Sequence, residues 1–151
     1  MLDRPPYSYR ADPAAPAFDD ARPLALVDGE CALCSRMARL ICRLDRKQEF
    51  RIAPAKSPLG RALFAHYGLD ADDPLSWLYL ADGRAYGELD AVARAGRRLG
   101  GLGLIAVPLG WLPRQTRERL YDFVARRRIR WFGRADLCAL PDEALRRRLL
   151  R

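Results

Sequence analysis

Four consecutive apolar residues, Leu24-Ala25-Leu26-Val27, are stopped by Asp28-Gly29 and followed at once by a helical pattern. So short and so uniform a run is a strand buried on both faces, because a strand with one wet face would alternate. Leu33, Met37, Leu40, Ile41 and Leu44 then recur at spacings of three and four, so an amphipathic helix is expected from about Cys31 to Leu44. A strand covered on both sides needs packing layers above and below it, which restricts the chain to a layered α/β architecture.

The remaining punctuation supports that class. Phe50-Arg51-Ile52-Ala53 alternates as a second strand and is closed by Pro54. Ser57-Pro58 supplies an N-cap and an N1 proline for a helix ending near Tyr67-Gly68. Trp77-Leu78-Tyr79-Leu80 reads as a third strand, and Asp82-Gly83 turns it back into Arg84-Ala85-Tyr86. Helices are expected from about Leu89 to Leu99, from Gln115 to Arg128 and from Asp142 to Leu149, with an apolar segment near Leu102 to Leu112 packed on the sheet. The order β-α-β-α-β-β-α, with a parallel first pair and an antiparallel hairpin, is that of the thioredoxin-like fold, here with additional C-terminal helices. The proline-rich residues 1–22 are expected to form a flexible arm, leaving 23–151 as the domain.

At 151 residues the chain can bury a core without disulfide or metal staples. Its net charge of +8 is uneven: residues 1–93 carry −2 and residues 94–151 carry +10. No nucleic-acid-binding signature accompanies the charge, and 25 of the 27 basic residues are Arg, as expected of solvated helix faces in an Arg-biased composition. The N-terminus has no apolar stretch of signal-peptide type. The longest apolar stretch, Leu99 to Pro113, is short and interrupted by four glycines. A cytoplasmic protein is therefore expected, and in that reducing compartment four cysteines point to redox chemistry or metal binding rather than a disulfide framework.

Cys31-Ala32-Leu33-Cys34 falls where the buried strand ends and the helix begins. Unpaired backbone N–H groups and the positive end of the helix dipole favour a thiolate over a thiol there. Cys31 is thus the expected nucleophile, with Cys34 one turn inside as the resolving thiol. Asp28 forms the turn, and as a nearby carboxylate it is also a candidate base for Cys34. Cys42, beyond the second helical turn, reads as a buried structural cysteine, and His66 as a cap or surface residue.

These residues carry a resemblance. Asp28-Gly29-Glu30-Cys31-Ala32-Leu33-Cys34 is similar to the signature of the DCC family of predicted thiol-disulfide oxidoreductases, named for an Asp-x-x-Cys-x-x-Cys pattern. Asp82-Gly83-Arg84-Ala85-Tyr86 resembles the family's hairpin. Arg130-Trp131-Phe132-Gly133, with Asp136, Cys138 and Pro141, resembles its C-terminal block. The resemblance runs over residues 24–141 and implies the fold and a redox role for Cys31 and Cys34, without bringing a physiological substrate. A dithiol of this kind is expected to have protein or small-molecule thiols and disulfides as partners, an unidentified electron donor and no cofactor. Two features differ from ordinary thioredoxins. Gly29-Glu30 stands where a Trp would precede the first cysteine, and Pro74 lies a residue away from the usual cis-proline position.

The C-terminal block is expected to fold back over the dithiol end of the sheet, burying Trp131 and Phe132. Arg134 or Arg130 would then favour the Cys31 thiolate, and Cys138 would be a small packing residue. Two alternatives compete with the redox reading. One is a zinc site of Cys31, Cys34, Cys42 and Cys138, weakened by the single C-x-x-C. The other is a non-catalytic adaptor whose basic C-terminal helices, with Leu102, Leu104, Ile105, Val107, Leu109, Trp111 and Leu112, contact an acidic partner or a membrane surface.

Overall fold

A computed structural model describes residue 2 and residues 4–72, 77–137 and 142–150. The expectations placed on Pro74 and Cys138 fall outside the described residues.

Four strands, β1 (Leu24–Val27), β2 (Arg51–Pro54), β3 (Leu78–Ala81) and β4 (Arg84–Gly87), form one sheet in the order β2-β1-β3-β4. β1 and β2 are parallel, with Leu24 opposite Arg51. β3 runs antiparallel to β1, and β4 antiparallel to β3. Helices α1 (Ala32–Leu44), α2 (Pro58–His66) and α3 (Glu88–Leu99) fall where the sequence pattern puts them, and α4 (Arg114–Phe132) and α5 (Glu143–Arg146) follow. This is the expected thioredoxin-like α/β arrangement with helices added at the C-terminal end.

The apolar run of β1 is buried on both sides. Leu24 and Leu26 pack with Leu59, Leu63 and Phe64 of α2, while Ala25 and Val27 pack with Ala38 and Ile41 of α1 and Ala91 and Ala95 of α3. Ser57 Oγ accepts the Gly60 amide hydrogen bond at 3.1 Å, the N-cap that starts α2. The β3–β4 hairpin closes through Asp82 and Gly83, both at positive φ (52° and 74°), as a two-residue type I′ turn demands.

Residues 1–22, read from composition as a flexible arm, make specific contacts with the domain. Tyr7 N donates to Gly83 O at 2.8 Å, Tyr9 is buried against Phe18, and His66 of α2 is held between Asp12 at 2.7 Å and Ser8 at 2.9 Å. Proline content hid two aromatic anchors and a polar clasp.

The apolar segment also differs from expectation. Residues Gly101–Trp111 form a 3-10 helix that packs on α3, not on the sheet. Gly96 and Gly103 make the contact: a Cβ on Gly96 would come within 2.4 Å of Gly103 O. Because the small residues face α3, the large ones are left outside, and Leu102, Ile105 and Trp111 are 69%, 75% and 77% exposed. Among the described residues no helix is long and apolar enough to cross a membrane.

At the other edge, Ile52 N donates to Arg148 O and Leu150 N to Ile52 O, so the C-terminus covers β2. Buried Arg148 donates to the Asp45 carboxylate at 2.9 Å beneath this contact.

Candidate active site

Asp28 and Gly29 turn the chain from β1 toward α1, with the Glu30 amide donating to Asp28 Oδ1 at 2.9 Å. Cys31 is the N-cap of α1, in extended backbone (φ −97°, ψ 124°), and Cys34 lies in the first turn. The two cysteines that the sequence placed at the helix start are there, with Cys34 in side-chain hydrogen-bond reach of Cys31.

Their exposure is the reverse of what a nucleophilic first cysteine requires. Gly133, at φ 79°, ends α4 and releases a strap of residues 133–137 across the site. Ala32 N donates to Gly133 O, Ala135 N to Glu30 O and Leu137 N to Gly29 O, and Cys31 pairs with Arg134 in an antiparallel bridge. Cys31 is wholly buried under this strap, whereas Cys34 is part-exposed. Burial pushes the Cys34 thiol up to about 12, with Cys31 and Asp28 adding to the rise and the Arg128 guanidinium opposing it. Cys42 is buried, as expected, and burial raises its thiol too.

The cation at the dithiol is Arg128, not Arg134 or Arg130. Arg128 is 3% exposed; its Nη1 donates to Cys34 Sγ at 3.0 Å and its Nη2 to Asp28 Oδ2 at 2.7 Å. Asp28 therefore has both of the places considered for it, the turn and the site, and its hydrogen bonds there go to Arg128 and the Glu30 amide. Arg130 and the Arg134 side chain are exposed. α4 runs on to Phe132 instead of ending at Arg128, so Trp131 and Phe132 stand on a helix rather than in a loop folding back. Both aromatics remain substantially exposed, Trp131 resting on Phe123 with ring centroids 5.6 Å apart. The backbone that follows them, not their rings, covers Cys31.

The sequence carried a signal for Arg128 that a reading of the arginine run as solvated helix passes over. Tyr121, Val124, Ala125 and Arg128 share one face of α4 at helical spacing, so the apolar stripe leads directly onto this arginine. That face closes a pocket of about 310 Å³ with Val27 from the sheet, Trp77 just before β3, Met37 from α1 and Val92 from α3; Cys34 and Arg128 are also in its wall. No group of three or more His, Cys, Asp or Glu side chains that could hold a metal occurs among the described residues.

The arrangement brings two thiols together at a helix N-terminus, beside a buried arginine paired with a part-buried carboxylate and beside an apolar pocket. The model of the DCC1-like thiol-disulfide oxidoreductase family matches residues 25–134, a span reaching from β1 through α4 into the strap. The chain belongs to this family. Relatives of the DCC1-like chain include the uncharacterized protein YuxK of Bacillus subtilis, 30% identical over 125 residues, which is 83% of this chain and 91% of the relative. Another is a chloroplastic DCC family protein of Arabidopsis thaliana, 31% identical over 123 residues, 81% of this chain and 72% of that one. No solved structure matches the chain. The resemblance read from Asp28-x-x-Cys31-x-x-Cys34 and the C-terminal block is thus a family membership, and the matched span takes in Arg128.

Proposed function

We propose that this DCC1-like chain is a cytoplasmic thiol-disulfide oxidoreductase that exchanges disulfides through Cys31 and Cys34. The observation that carries the reading is the pairing of the two thiols at the start of α1 under the Arg128 guanidinium. Arg128, with Nη1 on Cys34 Sγ, supports negative charge on that sulfur. Asp28 holds Arg128 against Cys34 and acts through it. An external thiol or disulfide partner resets the pair after each exchange.

The test is oxidation in a glutathione buffer followed by differential alkylation and mass spectrometry. One intramolecular disulfide, Cys31–Cys34, is expected, with Cys42 reduced. Eight helical residues rise about 12 Å, which puts a Cys34–Cys42 bridge out of reach. A protein that forms no Cys31–Cys34 disulfide at any glutathione ratio overturns the reading.

A second role is favoured by the exposed apolar face of residues 101–111. Leu102, Ile105 and Trp111 present a surface flanked in sequence by exposed Arg97, Arg114 and Arg119, within a half of the chain carrying +10. Apolar side chains beside cations suit the interface of an anionic lipid surface. Co-sedimentation with phosphatidylglycerol vesicles, lost on Ile105→Asp, is the expected result, and no sedimentation at low salt overturns it.

A further inference from the structure

The pocket beside Cys34 has a chemistry of its own. Its volume of about 310 Å³ is at the small end of ligand sites and holds roughly ten waters' worth of space, enough for about a dozen non-hydrogen atoms. Valine, leucine and methionine side chains make up most of its wall. Arg128 is the one charged residue among the described lining residues, and its charge is matched by Asp28 at 2.7 Å, so no net charge awaits an anionic ligand. Met37 and Leu120 in the same lining are 36% and 41% exposed, apolar surface that an occupant would cover. Trp77 and Arg128 also line the pocket, but their Nε1 and Nε atoms are themselves covered, so the surface offered to an occupant is almost entirely apolar. Such a wall suits the alkyl body of an uncharged occupant, with Cys34 as the reactive group beside it.

We propose that this pocket binds the substrate, a small neutral alkyl thiol or disulfide, and that the substrate sulfur is joined to Cys34 rather than to Cys31. The assignment rests on the redox reading above and adds the substrate class and the attacked sulfur. Cys34 is the thiol in the pocket wall, while Cys31 is sealed beneath residues 133–137.

The exchange balances without any further reactant when the oxidised protein meets an apolar dithiol. A substrate thiolate, its proton given to solvent, attacks Cys34 Sγ of the Cys31–Cys34 disulfide. The new bond forms between the substrate sulfur and Cys34 as the Cys31–Cys34 bond breaks, and the electron pair leaves on Cys31 at the helix N-terminus. The second substrate thiol, losing its proton to solvent, then attacks the sulfur bound to Cys34. Cys34 departs with the electron pair beside Arg128, and both protein sulfurs recover protons from solvent. The substrate is oxidised by two electrons to its disulfide and the protein disulfide is reduced to the dithiol. In the reverse direction Cys34 attacks the substrate disulfide. Because the Cys34 thiol is held up near 12, that attack is the slower way to begin, and the forward assay avoids it.

The test compares two dithiols as reductants of the oxidised full chain in stopped flow, each corrected for its rate toward bis(2-hydroxyethyl) disulfide. Dihydrolipoamide has an alkyl chain with one amide; dithiothreitol is compact and polar. A preference of about tenfold or more for dihydrolipoamide is expected, and it should shrink toward one in Val124→Phe, which fills the pocket. Leu120→Arg, at an exposed rim position that folding tolerates, should shrink it as well. In parallel, calorimetry with 5-cyclopentylpentanamide, an all-carbon-ring analogue that cannot react, should show saturable binding to wild type that Val124→Phe abolishes. Equal corrected rates, or no binding of the analogue, overturn the pocket assignment while reduction by dithiothreitol leaves the redox reading standing. Binding without reduction by either dithiol overturns the redox reading, and the substrate assignment with it. A mixed disulfide trapped on Cys31 in place of Cys34 overturns the choice of sulfur.

Discussion

Arg128 and Cys34 stand 94 residues apart in the chain and 3.0 Å apart in the fold, with Arg128 Nη1 donating to Cys34 Sγ. The same guanidinium spends its other terminal nitrogen on Asp28, so a helix near the C-terminus, a turn and the dithiol are tied at one point. A buried cation of this kind is tolerated because a largely covered carboxylate lies against it.

Removing one member should therefore cost more than removing both. Arg128→Met is expected to lower stability by about 3 kcal/mol, since it leaves Asp28 without its counter-charge. Asp28→Asn combined with Arg128→Met should recover part of that loss in urea unfolding. A loss under about 1 kcal/mol in the single variant contradicts the buried-pair account.

Raised thiols make the protein sensitive to alkali. Cys34 is pushed up to about 12 in the fold, against about 8.5 for an unfolded cysteine, so its contribution is intact below about pH 8.5 and is lost as the pH rises toward 12. Cys42, raised by burial, acts in the same direction. Tyr9 and Tyr79 are raised as well, but an unfolded tyrosine ionises near 10, so they act only above that pH. The Tm should fall between pH 8.5 and 10, and the fall should be shallower in Cys34→Ala. An equal slope in the variant refutes the assignment to Cys34.

The Asp45–Arg148 pair offers a contrast with surface ion pairs. Both side chains are buried, and Asp45 also accepts the Phe50 amide hydrogen bond at 3.0 Å. Arg148→Met should cost about 3 kcal/mol and loosen the C-terminus from β2. Arg61→Ala breaks an exposed pair with Asp72 and should leave stability nearly unchanged. Similar losses for the two would show that the buried pair is not under strain when broken.

Gly96→Ala separates propensity from packing. Alanine in mid-helix ordinarily stabilises by about 1 kcal/mol over glycine. Here the added Cβ meets Gly103 O at 2.4 Å, so a net loss of about 1–3 kcal/mol is expected by thermal unfolding. A gain in stability would mean that residues 101–111 are not held close to α3.

Sequence alone determined what depends on near neighbours: the doubly buried β1 run, the Ser57 cap, the Asp82-Gly83 turn and the placing of Cys31 and Cys34 at a helix start. Each is a local signal, because hydrophobic period, capping and turn conformation are set by residues a few positions apart. The stripe of Tyr121, Val124 and Ala125 points to Arg128, but it took the tertiary structure to bring that arginine to the dithiol. Four candidates between Arg126 and Arg130 have the same chemistry, and the rotation of α4 about its axis, fixed by packing on α1 and α3, turns only Arg128 inward. It also decided that Cys31 is sealed while Cys34 faces the pocket, since the strap comes from a hundred residues downstream. The N-terminal arm and the outward-facing leucines of residues 101–111 belong to the same class. Composition records what those residues are, but whether Tyr9 is covered and Ile105 is not depends on which surfaces distant parts of the chain bring to them.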